Sequence, residues 1–199
     1  MPGLLDRSTV FVKEHVGMFK AANAYDLLDP ATTQIMGRVQ ERVGGLFRKV
    51  MKFTKWKAQM AFHIEFHDLT AGDTVVLTVS RPFTWFRSVV TVADGSGRVL
   101  GSFKQKLIAW GPKMWVLGPN GAEIAELKGD WKGWNYTFTD AAGRVLGTVT
   151  KKWAGIGKEL FTSADNYIID LSPDCTDADS RRLLLAAPIT ADMVYKEYA

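Results

Sequence analysis

The stretches GRVLGSFK (97–104) and GRVLGTVT (143–150) are close copies of each other, and GAEIAELK (121–128) follows the same pattern. Each stretch begins directly after a short group of turn-forming residues, and TQIMGRVQ (33–40), which follows the turn DPAT, has the features of a fourth copy. A turn followed by a short strand of β-branched and apolar residues is typical of a β-hairpin. Several such units at short, regular spacing predict an all-β sandwich or barrel.

The fifth position of every copy holds a small residue: Gly37, Gly101, Ala125 or Gly147. Glycine weakens a strand unless the strand bends or another element approaches closely. Two interpretations are therefore open, a bulge or barrel corner at each site, or close packing against something inside a barrel. Further strands are predicted in AFHIEFHDL (61–69), TVVLTVSRPF (74–83) and SVVTVAD (88–94). The tryptophans, mostly in or beside these strands, are expected to fill the core and to pack across strands.

The C-terminal run from Leu183 to Tyr195 is apolar nearly all round, which is typical of a helix buried on every side. We predict a helix over about 180–197, with a kink at Pro188. Three residues are candidates to cap its start: Asp177, Asp179 and Ser180. These thirteen residues rise about 20 Å, too little to cross a hydrocarbon core of about 30 Å.

Composition predicts one globular domain over 1–199, with residues 1–8 as a flexible N-terminus. Of the 199 residues, 47% are hydrophobic and 23% are charged, values that exclude wholesale disorder. A lone cysteine, Cys175, excludes an internal disulfide and a multi-cysteine zinc site. The start lacks the features of a signal peptide, so we expect a cytoplasmic location.

The positive charge of the chain is concentrated between residues 38 and 57, where seven basic residues are opposed only by Glu41. Residues 38–60 fit either an amphipathic helix or, in part, a continuation of the strand after Gly37. Aromatic residues are interleaved with the charges, as in an interfacial lipid-binding surface, although a solvated face is the alternative. The candidate lipid-surface residues are Arg48, Lys49, Lys52, Lys55, Trp56 and Lys57. We expect no nucleic-acid partner, because the remainder of the chain is slightly acidic.

The stretch TKKWAGIGKELFTSADNYIIDLSPD (150–174) resembles the signature of the phospholipid scramblase family. In that signature a strand ending K-x-W-x-G precedes a basic–acidic pair, then F-T-x-A-D-N and an aromatic residue. The matching residues are Lys151, Trp153, Gly155, Lys158, Glu159, Phe161, Thr162, Ala164, Asp165, Asn166 and Tyr167. Further similarity at residues 23–25, 80–84 and 192–197 extends the resemblance from about residue 8 to the end.

The resemblance implies a mainly β protein, a closed antiparallel barrel of about twelve strands around a buried C-terminal helix, as in tubby C-terminal and LURP-one-related proteins. It implies a membrane-associated lipid-binding protein that translocates phospholipids between leaflets. The alternative is a soluble LURP-one- or tubby-like module that recognises lipid headgroups or a protein without scrambling. The implied partner is an anionic membrane surface or a phospholipid headgroup. The chain lacks the family's palmitoylated cysteine cluster, so a polybasic surface is expected to replace acyl anchoring.

The family's proposed calcium loop corresponds to residues 163–174. Its ligand positions hold Ser163, Asp165, Tyr167, Leu171 and Asp174. Only Asp165 and Asp174 are carboxylates, so they are weak calcium candidates, and we expect no cofactor.

Other candidate chemistry is sparse. His63 and His67 share a strand face with Glu65, but this set is too small for a zinc site and is expected to be a solvated face. Cys175 has no candidate base nearby, and no nucleophile elbow or phosphate loop is present. We therefore expect the protein not to be an enzyme.

Overall fold

The computed structural model describes residues 3–15, 24–42, 61–83, 89–105, 113–129, 135–150 and 166–196, with side chains of the last segment as far as Asp192. Within these residues the chain forms twelve β-strands followed by one α-helix. The strands are β1 (Thr9–Glu14), β2 (Ala24–Leu28), β3 (Ile35–Glu41), β4 (Phe62–Asp68), β5 (Thr74–Arg81), β6 (Val89–Asp94), β7 (Val99–Gln105), β8 (Lys113–Leu117), β9 (Glu123–Gly129), β10 (Tyr136–Thr139), β11 (Val145–Thr150) and β12 (Tyr167–Leu171). The helix α1 spans Ala178–Lys196.

The twelve strands form a closed antiparallel barrel. Each strand pairs with its neighbour in sequence, and β12 pairs with β1 in a register that places Ile168 opposite Phe11. Alternating residues point inward, so that on β4 Phe62, Ile64 and Phe66 enter the core while the residues between them face outward. The predicted fold class is confirmed, and closure leaves no unpaired strand edge.

Helix α1 lies inside the barrel and contacts β5, β7, β8 and β12. Every side chain from Leu183 to Asp192 is buried, as the all-round apolar pattern predicts. Of the three candidate caps, Asp177 accepts the amide hydrogen bond of Ser180 at 2.7 Å. No helix in the described part of the chain is long and apolar enough to span a bilayer.

The hairpins of the two closest copies, 97–104 and 143–150, share one turn geometry. Asp94 accepts hydrogen bonds from the amide and Nε of Arg98, and Asp140 accepts the same two bonds from Arg144. The glycine before each arginine has a φ of +87° or +82°, a left-handed conformation that side chains disfavour. The turn residues therefore fix the hairpin positions that the repeats predict.

Both interpretations of the small fifth position hold. Directly before each of the four sites, the strand that carries the small residue has one residue more than the preceding strand with which it pairs, as in a β-bulge. A Cβ at Gly37 would lie 2.7 Å from the carbonyl oxygen of His67 and 2.7 Å from Leu4 Cδ2. A Cβ at Gly101 would lie 3.0 Å from Leu183 Cδ1 of α1. Each of the four strands thus has a bulge at its small residue, and at Gly37 and Gly101 the wall also approaches Leu4 and Leu183 inside the barrel closely.

Residues 3–8 belong to the folded barrel, although we expected residues 1–8 to be a flexible N-terminus. A 3-10 helix covers Leu4–Asp6, and Leu4 is fully buried in the core cluster. The Leu4 amide donates a hydrogen bond to Asp68 Oδ2 at 3.0 Å. The N-terminal segment therefore packs into one end of the barrel.

The two ends of the barrel differ in their connections. The turns that follow β2, β4, β6, β8 and β10 are short and all lie at one end, which we call the turn end. The helix α1 also begins at the turn end, after β12. Because the strands alternate in direction, the connections that follow β1, β3, β5, β7, β9 and β11 all join strands at the opposite end, which we call the connection end.

Candidate functional site

We call residues 38–60 the basic segment, and both of its ends are anchored at the connection end of the barrel. The segment leaves the barrel after β3 and returns at β4, where the Arg42 amide donates a hydrogen bond to the His63 carbonyl at 2.8 Å. The lipid-surface residues predicted from the sequence lie between these anchors and outside the described residues: Arg48, Lys49, Lys52, Lys55, Trp56 and Lys57. The direction of β3 and β4 in the barrel therefore places both the start and the end of this segment at the connection end.

The six connections at this end are, taken together, basic and rich in tryptophan. They comprise residues 16–23, 43–60, 84–88, 106–112, 130–134 and 151–165. Together they contain twelve basic residues and three acidic ones, a net charge of +9, whereas the rest of the chain carries −5. They also contain six of the seven tryptophans. Basic residues and tryptophans are thus concentrated in the connections that join strands at one end of the barrel.

The seventh tryptophan, Trp115, lies on β8 between two core residues, so its side chain faces outward. Trp115 is therefore not one of the tryptophans that fill the core, where Met114 and Val116 lie instead, and its position opposite Lys104 and Glu126 leaves it the expected role in cross-strand packing. The other six lie outside the described residues.

The first residues of the basic segment form strand rather than helix, because β3 continues to Glu41. Arg38 and Arg42 face outward, and their Nε atoms lie 3.6 Å from Asp26 Oδ1 and 2.7 Å from Glu65 Oε2 respectively. Glu41 points inward and is buried. Two of the seven predicted basic residues are therefore paired on the barrel wall, and residues 43–60 lie outside the described part.

Polar residues line the inside of the barrel near the connection end. Tyr25 Oη donates a hydrogen bond to Asp192 Oδ2 at 2.7 Å, which joins β2 to α1. Burial, followed by the charge of Asp192, raises the pKa of Tyr25 well above its usual value, so the phenol stays protonated. The guanidinium of Arg81 lies 4.6 Å from the ring centroid of Phe62. The family resemblance includes Tyr25, Arg81 and Asp192 among its further matches, at residues 23–25, 80–84 and 192–197. It did not predict that their polar side chains lie inside the barrel, because no local pattern distinguishes an isolated inward-facing polar residue from a surface one.

Glu65 is the centre of a polar cluster on the outer wall. His63 Nε2 lies 3.6 Å from Glu65 Oε1, and His67 Nε2 lies 3.4 Å from Glu65 Oε2. Desolvation raises the pKa of Glu65, but the hydrogen bond and charge of Arg42, with the two histidines, outweigh it and lower the pKa below the usual value. Glu65 is therefore held as a carboxylate.

The proposed calcium loop is interrupted by a strand. Tyr167 and Leu171, two of its ligand positions, belong to β12 and point into the core. Asp174 is exposed at the turn end, and Asp165 lies outside the described residues. In the part of the chain that is described, no group of three or more histidine, cysteine or acidic residues could hold a metal ion.

Two features at the turn end give little support to a catalytic or binding site there. Cys175 is buried, and desolvation raises the pKa of its thiol, so the reactive thiolate is disfavoured. A cavity of about 410 Å³ is bordered by Arg7, Asp29 and Met36, among others. The guanidinium of Arg7 is already paired with Asp29 at 3.1 Å.

Comparison with known proteins agrees with this architecture. The family described as Scramblase matches residues 7–198. Altered inheritance rate of mitochondria protein 25 of Saccharomyces cerevisiae is 22% identical over 96% of this chain and 69% of its own length. A phospholipid scramblase family protein of Schizosaccharomyces pombe is 21% identical over 83% of this chain and 46% of its own length. No solved structure matches. Since the family match extends over nearly the whole barrel and its helix, the chain belongs to the phospholipid scramblase family.

Proposed function

We propose that this protein is a peripheral membrane protein that binds anionic phospholipid surfaces with the connection end of its barrel. The observation that supports the proposal is the segregation of a net charge of +9 and six tryptophans into the six connections at that end. Basic residues attract anionic headgroups, and tryptophan favours the interface between water and acyl chains. The acidic remainder of the barrel faces away from the bilayer in this orientation.

The strength of binding follows from how many basic residues reach the surface. Each contributes about 1 kcal/mol near an anionic bilayer. If two to four of the residues between Arg48 and Lys57 reach it, they supply roughly 2–4 kcal/mol. Indole side chains add an apolar contribution that salt does not screen. Binding should therefore require anionic lipid and weaken as salt increases.

Lipid translocation is the second candidate function, and family membership together with the name of the fission yeast relative favours it. A lipid headgroup that crosses a bilayer needs a polar path. Leu184 and Ile189 of α1, with the strand side chains around them, fill the described interior of the barrel. We therefore propose binding as the first function and translocation as the second. The alternative is a module that binds headgroups or a protein without moving lipid.

Two vesicle assays on the purified chain separate these functions. Co-sedimentation with phosphatidylglycerol vesicles, compared with phosphatidylcholine vesicles, measures binding. Dithionite quenching of a fluorescent lipid in the same vesicles measures translocation. We expect binding to phosphatidylglycerol alone, weakened between 50 and 200 mM salt as for other electrostatic contacts. Equal sedimentation with both vesicle types, or with neither, would contradict the proposal.

A further inference from the structure

Lysine side chains face outward on three neighbouring strands near the connection end. Lys104 lies on β7, Lys113 on β8 and Lys128 on β9, each at the last or next-to-last position of its strand on that side. They alternate with core residues of the same strands, so their side chains stand on the outer wall. In the described residues of strands β5–β12, these three lysines are the only basic side chains that point outward.

The strand register brings these lysines beside an indole and a carboxylate. Lys104 lies directly opposite Trp115 of β8, which in turn lies opposite Glu126 of β9. Lys113 lies directly opposite Lys128. Side chains in such positions on one face of a sheet have Cβ atoms about 5 Å apart. We call these five residues the β7–β9 face.

The β7–β9 face has three lysines and one glutamate, a net charge of +2. The Nζ atoms of Lys113 and Lys128 lie 3.7 Å and 3.5 Å from the carboxylate oxygens of Glu126. Like charges directly opposite each other destabilise a sheet, so the Lys113–Lys128 pair is not the arrangement that favours stability. Departures of this kind are expected at functional sites, and a pair of ammonium groups indicates a site for anions.

Exposed apolar side chains border the β7–β9 face. Val89, the first residue of β6, is 40% exposed and lies opposite Lys104. Phe83, which follows the neighbouring strand β5, is 51% exposed. The other three exposed large hydrophobic residues of the described chain begin strands at the turn end. Basic, aromatic and apolar side chains are thus combined on one side of the barrel, as in surfaces that bind the membrane interface.

The other walls lack this combination in the parts of the chain that the structure describes. On β3 and just after it, Arg38 and Arg42 are paired with the carboxylates of Asp26 and Glu65. Lys13 of β1 also lies opposite Asp26. Strand β1 is six strands away from β7 in the closed barrel of twelve, so Lys13 lies on the wall diametrically opposite the β7–β9 face.

We propose that the β7–β9 face, with Val89 and Phe83 beside it, is a second contact surface for anionic phospholipid headgroups that continues the connection end along the barrel wall. The inference rests on the proposed function and names the side of the barrel that tilts toward the bilayer. The lysines bind headgroup phosphates, and the two apolar side chains contact the boundary of the acyl chains. Each lysine that reaches the headgroups strengthens binding about fivefold.

The first test compares single-charge variants by co-sedimentation with phosphatidylglycerol vesicles at pH 7.5 and physiological salt. Lys104→Gln and Lys128→Gln should each bind about fivefold more weakly than the parent, whereas Lys128→Arg should bind like the parent. The matched control is Lys13→Gln, which removes one charge at the same height on the opposite wall. It should bind within about twofold of the parent, because that wall lies more than a screening length from the bilayer. Circular dichroism checks that each variant is folded.

The second test places a fluorescent probe on the wall itself. Val89→Cys and Thr148→Cys, each combined with Cys175→Ser, are labelled with a nitrobenzoxadiazole fluorophore. Thr148 is exposed on β11, outside the β7–β9 face. Addition of phosphatidylglycerol vesicles should shift the emission of the Val89 probe to shorter wavelength and make it sensitive to quenching by spin-labelled lipid. The Thr148 probe should keep the emission that it has in solution.

The outcomes that would overturn the two proposals differ. Equal affinities of the Lys104→Gln, Lys128→Gln and Lys13→Gln variants, or equal quenching of the two probes, would refute the β7–β9 face and leave the proposed function standing. A parent that does not bind phosphatidylglycerol vesicles would refute the proposed function, and the β7–β9 face with it.

Discussion

Tyr25 and Asp192 form a hydrogen bond of 2.7 Å between the barrel wall and the helix inside it. Both residues are at most 1% exposed. A carboxylate in such a place is costly unless hydrogen bonds stabilise it. Because Asp192 lies near the C-terminal end of α1, this bond fixes how far the helix is inserted along the barrel axis.

Removing the hydroxyl group of Tyr25 should destabilise the fold. Tyr25→Phe keeps the ring and should lower the free energy of unfolding by about 1.5–3 kcal/mol, the usual contribution of a hydrogen bond to a charged group. Chemical denaturation measures this change, and a double-mutant cycle with Asp192→Ala, which removes the acceptor, isolates the pair. A coupling energy near zero would show that the bond does not hold the helix.

The position of α1 makes a stronger prediction for an apolar-to-acidic substitution. Leu184 is fully buried, so Leu184→Asp would place an unpaired charge in the core and should give insoluble or unfolded protein. The matched control is Val99→Asp, because Val99 is 48% exposed and the substitution should be tolerated. Soluble Leu184→Asp protein with a cooperative melt would place α1 outside the barrel.

The β6–β7 turn should contribute to acid sensitivity. The hydrogen bond from Ser96, and then bonds from Arg98, lower the pKa of Asp94 from 3.8 to about 2. A lowered pKa in the folded state means that this stabilisation is complete above about pH 4 and is lost as the pH falls towards 2. NMR titration of the Asp94 carboxyl should show a midpoint near 2, and Asp94→Asn should weaken the pH dependence of melting between pH 4 and 2. A midpoint near 4 would contradict the turn geometry.

Calcium should have little effect on the protein. Asp174 is exposed, and the chain between it and Asp165 includes β12, whose Tyr167 side chain points into the core. Two carboxylates that flank a strand do not form a compact loop, so we expect affinity in the millimolar range or weaker. Calorimetry tests this, and micromolar binding that Asp165→Ala or Asp174→Ala abolishes would refute it.

The sequence predicts much of the barrel because its local signals agree. Turn residues recur at short spacing, the strand at 61–69 alternates, and an apolar-all-round helix requires an enclosing wall. The predicted helix over 180–197 differs from Ala178–Lys196 by two residues at its start. The number of strands and their closure follow from family resemblance rather than from periodicity, because periodicity does not show which strands pair.

Other features depend on long-range contacts that no local pattern records. Leu4 enters the core from a short segment without periodicity, held by Asp68, which lies 64 residues away. Asp192 follows a helical apolar run and pairs with Tyr25, 167 residues away. The connection end cannot be predicted from a local sequence pattern either, because only the direction of each strand shows that six separate segments join the same end of the barrel.

We expect position on the barrel, rather than net charge, to direct binding to anionic membranes. Lys49→Gln/Lys52→Gln/Lys55→Gln removes three positive charges from the basic segment. The matched control Ala31→Glu/Ala71→Glu/Ala141→Glu makes the same change of −3 with exposed residues of three turns at the turn end. Melting temperatures and circular dichroism should match the parent for both variants.

The most direct measurement is the affinity of these two variants for phosphatidylglycerol vesicles at pH 7.5 and physiological salt. We expect the lysine variant to bind at least tenfold more weakly than the parent, from about 1 kcal/mol for each charge at the surface. The turn-end variant should bind within about twofold of the parent, because those charges lie more than a screening length from the bilayer. Parent-like binding by the lysine variant, or equal losses in both variants, would contradict the account.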